Sequence, residues 1–389
     1  MRLAVFALPV AFWAVSLVAV RVAIVPSEHC GELTADGART AAVAASEWLI
    51  AGQEDDGSYL YEYADEGSQP PDSYNIVRHA GVTMSLFQTA GRLDSTEAMT
   101  AADRGVEWML DRLVPHDDWL ALSDNNEAKL GASALMAIAL AERRLLTGDE
   151  QHDEVMKALG RFMASLQRED GGFHIKWLLD ENAPELGTTS LYYPGEALWA
   201  LALLHEAFPE EGFDETAWAA ADFITLYRDE VENVKFPPLN DHWGAYGLAE
   251  MVEWGLADHH TDYARDLAGR FGFLVRAESQ KEDNAVADAM RGDDRRAASL
   301  GTWVEGLAAL WRLSVEDERL GDLADDIEER ARCGAGILTD RQATDGEAEA
   351  GAWFAEGITR MDDQQHAISG LIYTADAIDG RVMREPGRP

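Results

Sequence analysis

The sequence predicts an all-α protein in which six helical hairpins close into a ring, an (α/α)6 toroid, preceded by an N-terminal membrane helix. Three observations predict this architecture. Beyond residue 38 the chain is a succession of helical patterns, and no convincing run alternates with the two-residue period of a strand. The helices come in pairs, one amphipathic and one almost wholly apolar. Three of the amphipathic helices end in similar glycine-containing turns.

Composition indicates a folded protein with an unusually acidic surface. The 389 residues are 47% hydrophobic and include 12 Trp, enough for a large core. The formal net charge is −39, and only 5 of the basic residues are Lys. Such a surface repels nucleic acid and anionic lipid headgroups, which excludes both as partners. It is typical of a protein from a salt-rich medium, where self-repulsion is screened.

Residues 1–25 form a membrane-like stretch. Leu3 to Val20 gives 18 uncharged residues, the lower limit for a spanning helix. Arg21 lies close before Ala23, a poor match to a signal-peptide cleavage site, so we expect an uncleaved anchor, with a cleaved signal peptide as the alternative. Arg2 favours a cytoplasmic N-terminus. The protein body is then extracytoplasmic and anchored to the cell membrane; the alternative is a secreted protein.

The two cysteines make neither a disulfide framework nor a metal site. An external location permits a Cys30–Cys333 disulfide, and the alternative that we favour is two unpaired structural thiols. The expected domain layout is an anchor or signal peptide over 1–25, a linker over 26–37, the toroid over 38–380 and a C-terminal tail over 381–389.

Six helix pairs follow the linker. In chain order they are ARTAAVAASEWLIAGQ with YNIVRHAGVTMSLFQTAG, TAADRGVEWMLDRLV with EAKLGASALMAIALAERRLL, DEVMKALGRFMASLQ with PGEALWALALLHEAF, ETAWAAADFITLYRD with HWGAYGLAEMVEWGL, TDYARDLAGRFGFLVRAES with AASLGTWVEGLAALWRL, and LADDIEERARCGAGILTDRQ with DQQHAISGLIYTADAI. Amphipathic helices fit an outer ring that faces water on one side, and Ala- and Gly-rich apolar helices fit a close-packed inner ring. Six pairs favour a closed ring over the alternative, an open solenoid.

Three outer helices are followed by related turns: GQEDDGSYLYEY, LQREDGGFHIKW and DRQATDGEAEAGAWF. Glycine suits the helix exit, and the aromatic residue that follows can fill the gap between hairpins. Gln-x-x-Asp-Gly followed by an aromatic residue resembles repeats of terpenoid cyclases, prenyltransferase β-subunits and other α/α toroids. Six-hairpin glycoside hydrolases, lyases and epimerases share that architecture. The resemblance implies the fold over nearly all of residues 38–380 and leaves the chemistry open, because one fold hosts many reactions.

In such a ring the inner helices begin at one end of a central cavity, where their N-termini carry partial positive charge. Polar residues recur at these beginnings, so we expect them to line a shared pocket. They are Tyr74, Asn75, Arg78 and His79; Asn125, Asn126 and Lys129; Tyr192, Tyr193 and Glu196; Asp241, His242 and Trp243; Arg295, Arg296, Thr302 and Glu305; and Arg360, Asp362, Asp363, Gln365 and His366.

Structural roles are the alternative for each of these residues. Arg78 can pair with a carboxylate of a neighbouring hairpin, and His79 can be a satisfied core histidine. Asp241 and Asp362 can be N-caps. Glu196 and Glu305 lie in apolar stretches, where a carboxylate must be paired or functional, because an isolated buried charge is costly.

The expected function is that of an extracytoplasmic carbohydrate-active enzyme without cofactor or metal. A cationic lining in so acidic a protein suggests an anionic, uronate-containing glycan. The aspartates of RMDDQQH stand among cations, which argues against a terpenoid carbocation pocket, and two cysteines assemble no prenyltransferase zinc site. In glycoside hydrolysis, our first expectation, Glu196 and Glu305 act as acid and base, with Asp241 and Asp362 as substitutes.

The alternatives are uronate lyase or epimerase chemistry on the same scaffold, and a non-catalytic toroid that binds a glycan or a protein. For elimination or epimerisation the actors are Arg78, His79, Tyr193 and His366. SYNIVRH resembles a Tyr-x-x-Arg-His stretch of glucuronyl C5-epimerases, with one extra residue between Asn75 and Arg78. The expected binding residues are Tyr74, Asn75, Arg78, Asn126, Lys129, Tyr193, His242, Trp243, Arg296, Arg360, Asp363 and His366.

Overall fold

A computed structural model describes residues 2–64, 74–281, 286, 289, 292–346 and 349–382. The part described is mostly helical, as predicted. Its α-helices are α1 Arg2–Ala19, α2 Ala35–Ala51, α3 Ile76–Arg92, α4 Thr96–Leu110, α5 Leu130–Thr147, α6 Asp153–Ser165, α7 Tyr193–Ala207, α8 Phe213–Asp222, α9 Arg228–Val231, α10 His242–Glu250, α11 Asp258–Ser279, α12 Ala297–Glu316, α13 Ala324–Arg341 and α14 Met361–Ile378. A π-helical turn follows α1 and another links α8 to α9.

Six of these helices form a closed inner ring. In order they are α3, α5, α7, α10, α12 and α14; each packs against the next, and α14 packs against α3. Their residues are largely inaccessible to solvent on all sides, as the Ala- and Gly-rich sequences predict. The outer helices α2, α4, α6, α8, α11 and α13 cover the ring. Closure between the last and first inner helices excludes the open solenoid.

The repeated turns join neighbouring outer helices. After α6, the side-chain amide of Gln167 donates to the Gly171 carbonyl at 3.2 Å and to the Thr216 carbonyl on α8 at 2.9 Å. Gly171 has a φ of +87°, and a Cβ there would lie 2.3 Å from the Ala219 carbonyl oxygen, so only glycine fits. Equivalent pairs of bonds are made by Gln53 to Gly57 and Ala101, and by Gln342 to Gly351 and Ala41. The aromatic residues that follow, Tyr59, Phe173 and Trp353, are buried, as expected.

Short strands, which the sequence pattern did not indicate, lie in the segments that lead into the inner helices. They are β1 Glu62–Ala64, β2 Leu113–His116, β3 Trp119–Asp124, β4 Glu127–Lys129, β5 Lys176–Leu178, β6 Ala183–Pro184 and β7 Ile358–Arg360. Strands β2 to β6 form one antiparallel sheet in chain order, and β1 pairs with β7. The helix predicted from Glu127 therefore begins at Leu130, because residues 127–129 pair with β3 and β5 instead.

The N-terminal region departs from the prediction. Among the described residues, no helix is long and apolar enough to cross a membrane. The prediction of unpaired thiols is wrong, since Cys30 and Cys333 form a disulfide that ties the linker to α13. The linker is also hydrogen-bonded to the fifth hairpin: the His29 amide donates to the Ser279 carbonyl at 2.9 Å, and Gln280 donates to the Pro26 carbonyl at 3.2 Å. Most of the predicted tail, residues 383–389, lies outside the described residues.

Candidate active site

The beginnings of the inner helices surround a cavity of about 450 Å³. Twelve of the residues expected to share a pocket line this cavity. Eight of them are candidate catalytic or binding residues: Asn75, Arg78, Tyr193, Glu196, His242, Trp243, Asp362 and His366. Tyr192, Arg295, Thr302 and Gln365 line it too. The other candidates lie behind this lining or away from it.

A hydrogen-bonded histidine and glutamate stand at the centre of the site. His366 Nδ1 lies 2.7 Å from Glu305 Oε2, and Tyr246 donates its hydroxyl to Glu305 Oε1 at 3.4 Å. Glu305 is fully buried, whereas His366 is 14% exposed and lines the cavity. Burial raises the pKa of Glu305, and the contact with His366 opposes that rise. Glu305 thus acts on the imidazole and does not reach the cavity, so its predicted role as a hydrolytic acid or base is wrong.

His242 lies beside this pair on the first turn of α10. Its ring centroid is 5.1 Å from that of His366, and the two rings are nearly perpendicular, at 80°. Both ring nitrogens are buried without a hydrogen-bond partner, although Nε2 lies 3.8 Å from Glu305 Oε2. Burial, together with the nearby His366, holds the pKa of His242 well below its usual range, so the imidazole is neutral. A buried polar ring without a partner points to a ligand.

His242, His366 and Glu305 are the residue types that bind the metal in two-histidine-one-carboxylate sites. Their potential ligand atoms all lie within 4.8 Å of one another. Two atoms bonded to one ion at about 2.1 Å and at right angles are roughly 3 Å apart. The 2.7 Å separation between His366 Nδ1 and Glu305 Oε2 is shorter than this and is that of a hydrogen bond.

Glu196 contributes an isolated carboxyl group to the cavity. It is 3% exposed, and its Oε2 has no hydrogen-bond partner. Burial, and secondarily the charge of Asp241, raises its pKa to about 8. The group is therefore protonated at neutral pH and is able to donate a hydrogen bond or a proton. Gly131 makes room for it, since a Cβ there would lie 2.1 Å from Glu196 Oε2.

Arg78 and Asp362 lie at the cavity wall as an ion pair. Arg78 Nε is 3.1 Å from Asp362 Oδ2, and Arg78 also donates to the Tyr61 hydroxyl. The alternative of a carboxylate partner for Arg78 is thus confirmed. Asp362 Oδ1 is buried and has no hydrogen-bond partner, which leaves one acceptor beside the cavity. Asn75 caps α3 by accepting from the Val77 amide at 3.0 Å.

Asp241 and Asp363 are structural, so the catalytic role predicted for Asp241 is wrong. Asp241 caps α10 by accepting from the Gly244 amide at 3.0 Å, and it pairs with Arg228; both side chains are fully buried. Asp363 pairs with Arg296 and accepts from the Ala298 amide at 3.1 Å. Each aspartate fixes the beginning of an inner helix and therefore the residues beside it.

His79 is a core residue, and its predicted catalytic role is wrong. The ring stacks on Trp108 with centroids 4.1 Å apart. Its nitrogens are occupied by the Tyr74 hydroxyl at 2.9 Å and by the Gly105 carbonyl at 3.0 Å. Burial lowers the pKa of His79 to about 3, so the ring stays neutral. Tyr74, a predicted binding residue, supports this core and also accepts from the Tyr59 amide at 3.0 Å.

Of the remaining cationic candidates, Arg295 lines the cavity, whereas Arg360 and Lys129 do not. Arg360 pairs with Glu62 across the β1–β7 sheet at 2.9 Å. Lys129 is half-buried at the end of β4, and the cavity lining does not include it. Asn126 is exposed in the β3–β4 hairpin turn, where Asn125 and Asn126 have φ of +49° and +67°, as a two-residue turn requires. The cations left at the cavity are Arg295 and Arg78, of which Arg78 is paired with Asp362.

The sequence analysis missed Asn240, Ser299 and Trp303, which also line the cavity. Asn240 directly precedes the Asp241 cap, and the other two lie on the first turns of α12. The signal that finds them is the helical face: Ser299, Thr302 and Trp303 share spacings of three and four residues, as do Thr302 and Glu305 around one turn. Tyr246, which follows His242 by four residues, is found in the same way.

No protein-family model and no curated protein matches the sequence. Solved structures match the fold along nearly the whole chain. Cellobiose 2-epimerase from Spirochaeta thermophila is 15% identical with a TM-score of 0.63, over 89% of this chain and 98% of that one. An unsaturated glucuronyl hydrolase specific for heparin is 11% identical with a TM-score of 0.61, over 88% and 97%.

A third match is an α-1,6-mannanase of Salegentibacter sp. HEL1_6, 13% identical with a TM-score of 0.61, over 87% of this chain and 99% of that one. The fold is therefore that of the six-hairpin (α/α)6 toroids, as the sequence predicted. At these identities the likeness concerns the fold alone.

Proposed function

We propose that the protein is an enzyme that transfers protons at carbon atoms of a sugar, a carbohydrate isomerase or epimerase. The observation that carries the proposal is the pair of neighbouring imidazoles in the cavity, His242 and His366. Glu305 is hydrogen-bonded to the second of them, His366. Isomerisation and epimerisation need one group that removes a proton beside a carbonyl and a group that returns it. The cellobiose 2-epimerase among the structural matches supports this class by analogy of fold.

The geometry suggests how the residues divide the work. His366 uses Nδ1 for Glu305, which leaves Nε2 to take the proton from the carbon next to the carbonyl of an open-chain sugar. The electrons of the broken C–H bond move onto the carbonyl oxygen and form an enediolate. The protonated Glu196 is available to donate to that oxygen. Neutral His242 carries one N–H and returns a proton to carbon. Delivery to C2, with the O1 proton going back to Glu196, gives the epimer, whereas delivery to C1, with the O2 proton going to Glu196, gives the ketose. Exchange with solvent then restores the protons of the two imidazoles.

The remainder of the cavity suits a neutral, polyhydroxylated ligand. About 450 Å³ lies within the range of small-molecule sites. Tyr192, Tyr193, Trp243 and Trp303 provide aromatic faces on which sugar rings stack. Glu196 Oε2 and Asp362 Oδ1 have no partner in the protein and can pair with hydroxyl groups. Arg78 is paired with Asp362, and the carboxyl groups of Glu196 and Asp362 share the lining with Arg295, so we propose a neutral sugar in place of a uronate.

We also propose an extracytoplasmic location. The Cys30–Cys333 disulfide supports this, because such bonds persist mainly in oxidising compartments.

The experiment is incubation of the protein with a panel of aldoses and reducing disaccharides in D2O at high salt. Products are separated by anion-exchange chromatography, and deuterium at C1 and C2 is read by NMR. We expect a ketose or a C2 epimer that carries solvent deuterium, and loss of this product in His242→Asn and His366→Asn. His259→Asn is the matched control, since His259 lies at the surface beside Asp222. Unchanged sugars with no deuterium exchange across the panel would contradict the proposal.

Glycoside hydrolysis is the second candidate, and Glu196 favours it. A buried carboxyl group with a pKa of about 8 is a suitable general acid, and Asp362 provides a second carboxylate at the cavity. New reducing ends from oligosaccharides, abolished by Glu196→Gln and insensitive to His366→Asn, would establish this reaction in place of isomerisation. Binding of a sugar without either product would indicate a non-catalytic toroid.

A further inference from the structure

The ionisation state of Glu305 decides which ring nitrogen of His366 carries the proton. Nδ1 has two polar neighbours of opposite character: Glu305 Oε2 at 2.7 Å and the side-chain amide nitrogen of Gln365 at 3.2 Å. If Glu305 is ionised, Nδ1 must carry a proton, and in the neutral imidazole Nε2 is then bare. If Glu305 is protonated, Nδ1 is an acceptor, and the proton of the imidazole lies on Nε2. Only the first arrangement presents a base to the cavity.

Burial alone favours the second arrangement, because a charged carboxylate is disfavoured where no water reaches it. Glu305 is fully buried on α12, in the centre of the ring. What opposes this is hydrogen bonding to the charged form. Tyr246 donates to Oε1 at 3.4 Å, while His366 occupies Oε2. The ionised carboxylate thereby has a donor on each oxygen.

The surroundings of Tyr246 keep its hydroxyl protonated, so that it donates a hydrogen bond. Its side chain is 6% exposed, and its ring stacks on Trp199 with centroids 4.4 Å apart and planes 15° from parallel. The ring centroid of Tyr373 lies 5.5 Å from that of Tyr246. Burial and the nearby carboxylate raise its pKa well above the ordinary value, so the phenol does not ionise. A rigid phenol that donates to one carboxylate oxygen favours the ionised form of Glu305 over the protonated one.

We propose that Tyr246 is a positioning residue that keeps Glu305 ionised and so fixes His366 in the form with its proton on Nδ1 and a bare Nε2 toward the cavity. Tyr246 touches neither the cavity opening nor any substrate in this scheme; it acts through Glu305. The form of the imidazole is a property of the resting protein. Its importance for turnover rests on the proposed isomerase or epimerase function.

The groups facing His366 come from several elements. Glu305 approaches from α12, His242 and Trp243 from α10, and Gln365 from its own helix. His242 is neutral, and Gln365 is an amide. Glu305 is thus the charged group in direct contact with the ring, which is why a change at Tyr246 is expected to reach His366 through it.

The test is two-bond ¹⁵N–¹H correlation NMR of the full-length protein with labelled histidine, in which bare and protonated ring nitrogens have distinct shifts. The His366 signals are assigned by their loss in His366→Gln. In the wild type we expect Nδ1 protonated and Nε2 bare. In Tyr246→Phe we expect the Nε2 signal to move toward the protonated position. Tyr373→Phe is the matched control, because it removes a hydroxyl of the neighbouring ring that is hydrogen-bonded to Arg92, and we expect no change.

A protonated Nε2 in the wild type overturns the proposal, whatever the variants do. So does an unchanged His366 spectrum in a folded Tyr246→Phe. If Tyr246→Phe does not fold, Glu305→Gln is measured in its place and is expected to give the same movement of the Nε2 signal. None of these readings needs a substrate, so failure here is distinguishable from failure of the proposed function. If turnover is found, Tyr246→Phe is expected to lower kcat about tenfold with KM unchanged, as for loss of one supporting hydrogen bond of about 1.4 kcal/mol.

Discussion

Arg228 and Asp241 form an ion pair in which neither side chain has any exposed surface. The same carboxylate caps α10 through the Gly244 amide, directly before His242. Arg228 is further held by the Tyr263 hydroxyl at 2.7 Å. The Arg228–Asp241 pair thus contributes to the stability of the fold and also fixes the start of α10, where His242 lies.

Asp241→Asn is expected to destabilise the protein by about 3–5 kcal/mol, because it leaves the buried Arg228 without a counter-charge. Urea denaturation followed by circular dichroism measures this. The control is Glu154→Gln, which breaks an exposed pair with Lys157 and is expected to change stability by less than about 1 kcal/mol. The double variant Arg228→Met/Asp241→Asn should recover part of the loss. A loss for Asp241→Asn no larger than that of the control contradicts this account.

Glu196 makes stability depend on pH. The folded protein keeps its proton up to about pH 8, whereas an ordinary glutamic acid loses it near 4.5. Between these values the folded state binds more protons than the unfolded state, so stability falls as pH rises through this window. Glu196→Gln is therefore expected to be near neutral at pH 4.5 and stabilising by up to about 4 kcal/mol at pH 8.5.

The measurement for Glu196 is a series of urea denaturations from pH 4.5 to 8.5 at constant high salt. Glu215→Gln, an exposed position on α8, is the matched control and should show the pH dependence of the wild type. A stabilisation by Glu196→Gln that is equal at both ends of the series argues against a buried, protonated carboxyl group.

Gly171→Ala tests the turn that joins α6 to α8. The position combines a φ of +87° with a Cβ that would lie 2.3 Å from the Ala219 carbonyl oxygen. We expect a loss of more than about 2 kcal/mol, from strain at φ > 0 together with the displaced backbone. Gly212 has a φ of +77° and no atom within 4 Å of its Cβ position, so Gly212→Ala isolates the strain alone and is expected to lose about 1 kcal/mol. Thermal unfolding compares the two, and equal losses contradict the predicted collision.

Reduction of the Cys30–Cys333 disulfide is expected to lower the melting temperature, because the bond spans 303 residues of the chain. The loop-entropy relation gives roughly 6 kcal/mol for a loop of this length, as an upper value. The comparison is differential scanning calorimetry with and without dithiothreitol. The Cys30→Ser/Cys333→Ser variant should melt at the temperature of the reduced wild type and should not respond to the reductant. A wild type that is insensitive to reduction contradicts the prediction.

The architecture was accessible from the sequence because it depends on local patterns. Helical periodicity, the alternation of amphipathic and apolar helices and the Gln-x-x-Asp-Gly turns each reflect short-range chemistry. Short strands such as β4 were missed because three residues cannot display a period. The disulfide was missed because a partner 303 residues away leaves no local trace.

The sequence indicated where the polar residues gather but not the role of each one. Polar residues at the beginnings of inner helices did converge, since the ring brings those ends together. His79 and His366 look equivalent in sequence, yet one stacks on Trp108 with both nitrogens occupied and the other faces the cavity. Glu305 could not be separated from Glu196, because the difference between a carboxyl group behind the lining and one within it arises only from three-dimensional packing.

The contact between α14 and α3 has a consequence for synthesis of the chain. The first outer helix, α2, packs chiefly on α14, and α3 completes its packing against the same helix. During translation α14 begins about 310 residues after the end of α2 and about 270 residues after the end of α3. At 5–20 residues per second, both helices are without this partner for about 15–60 seconds. The seam between the first and last hairpins is therefore the last part of the ring that can form during synthesis.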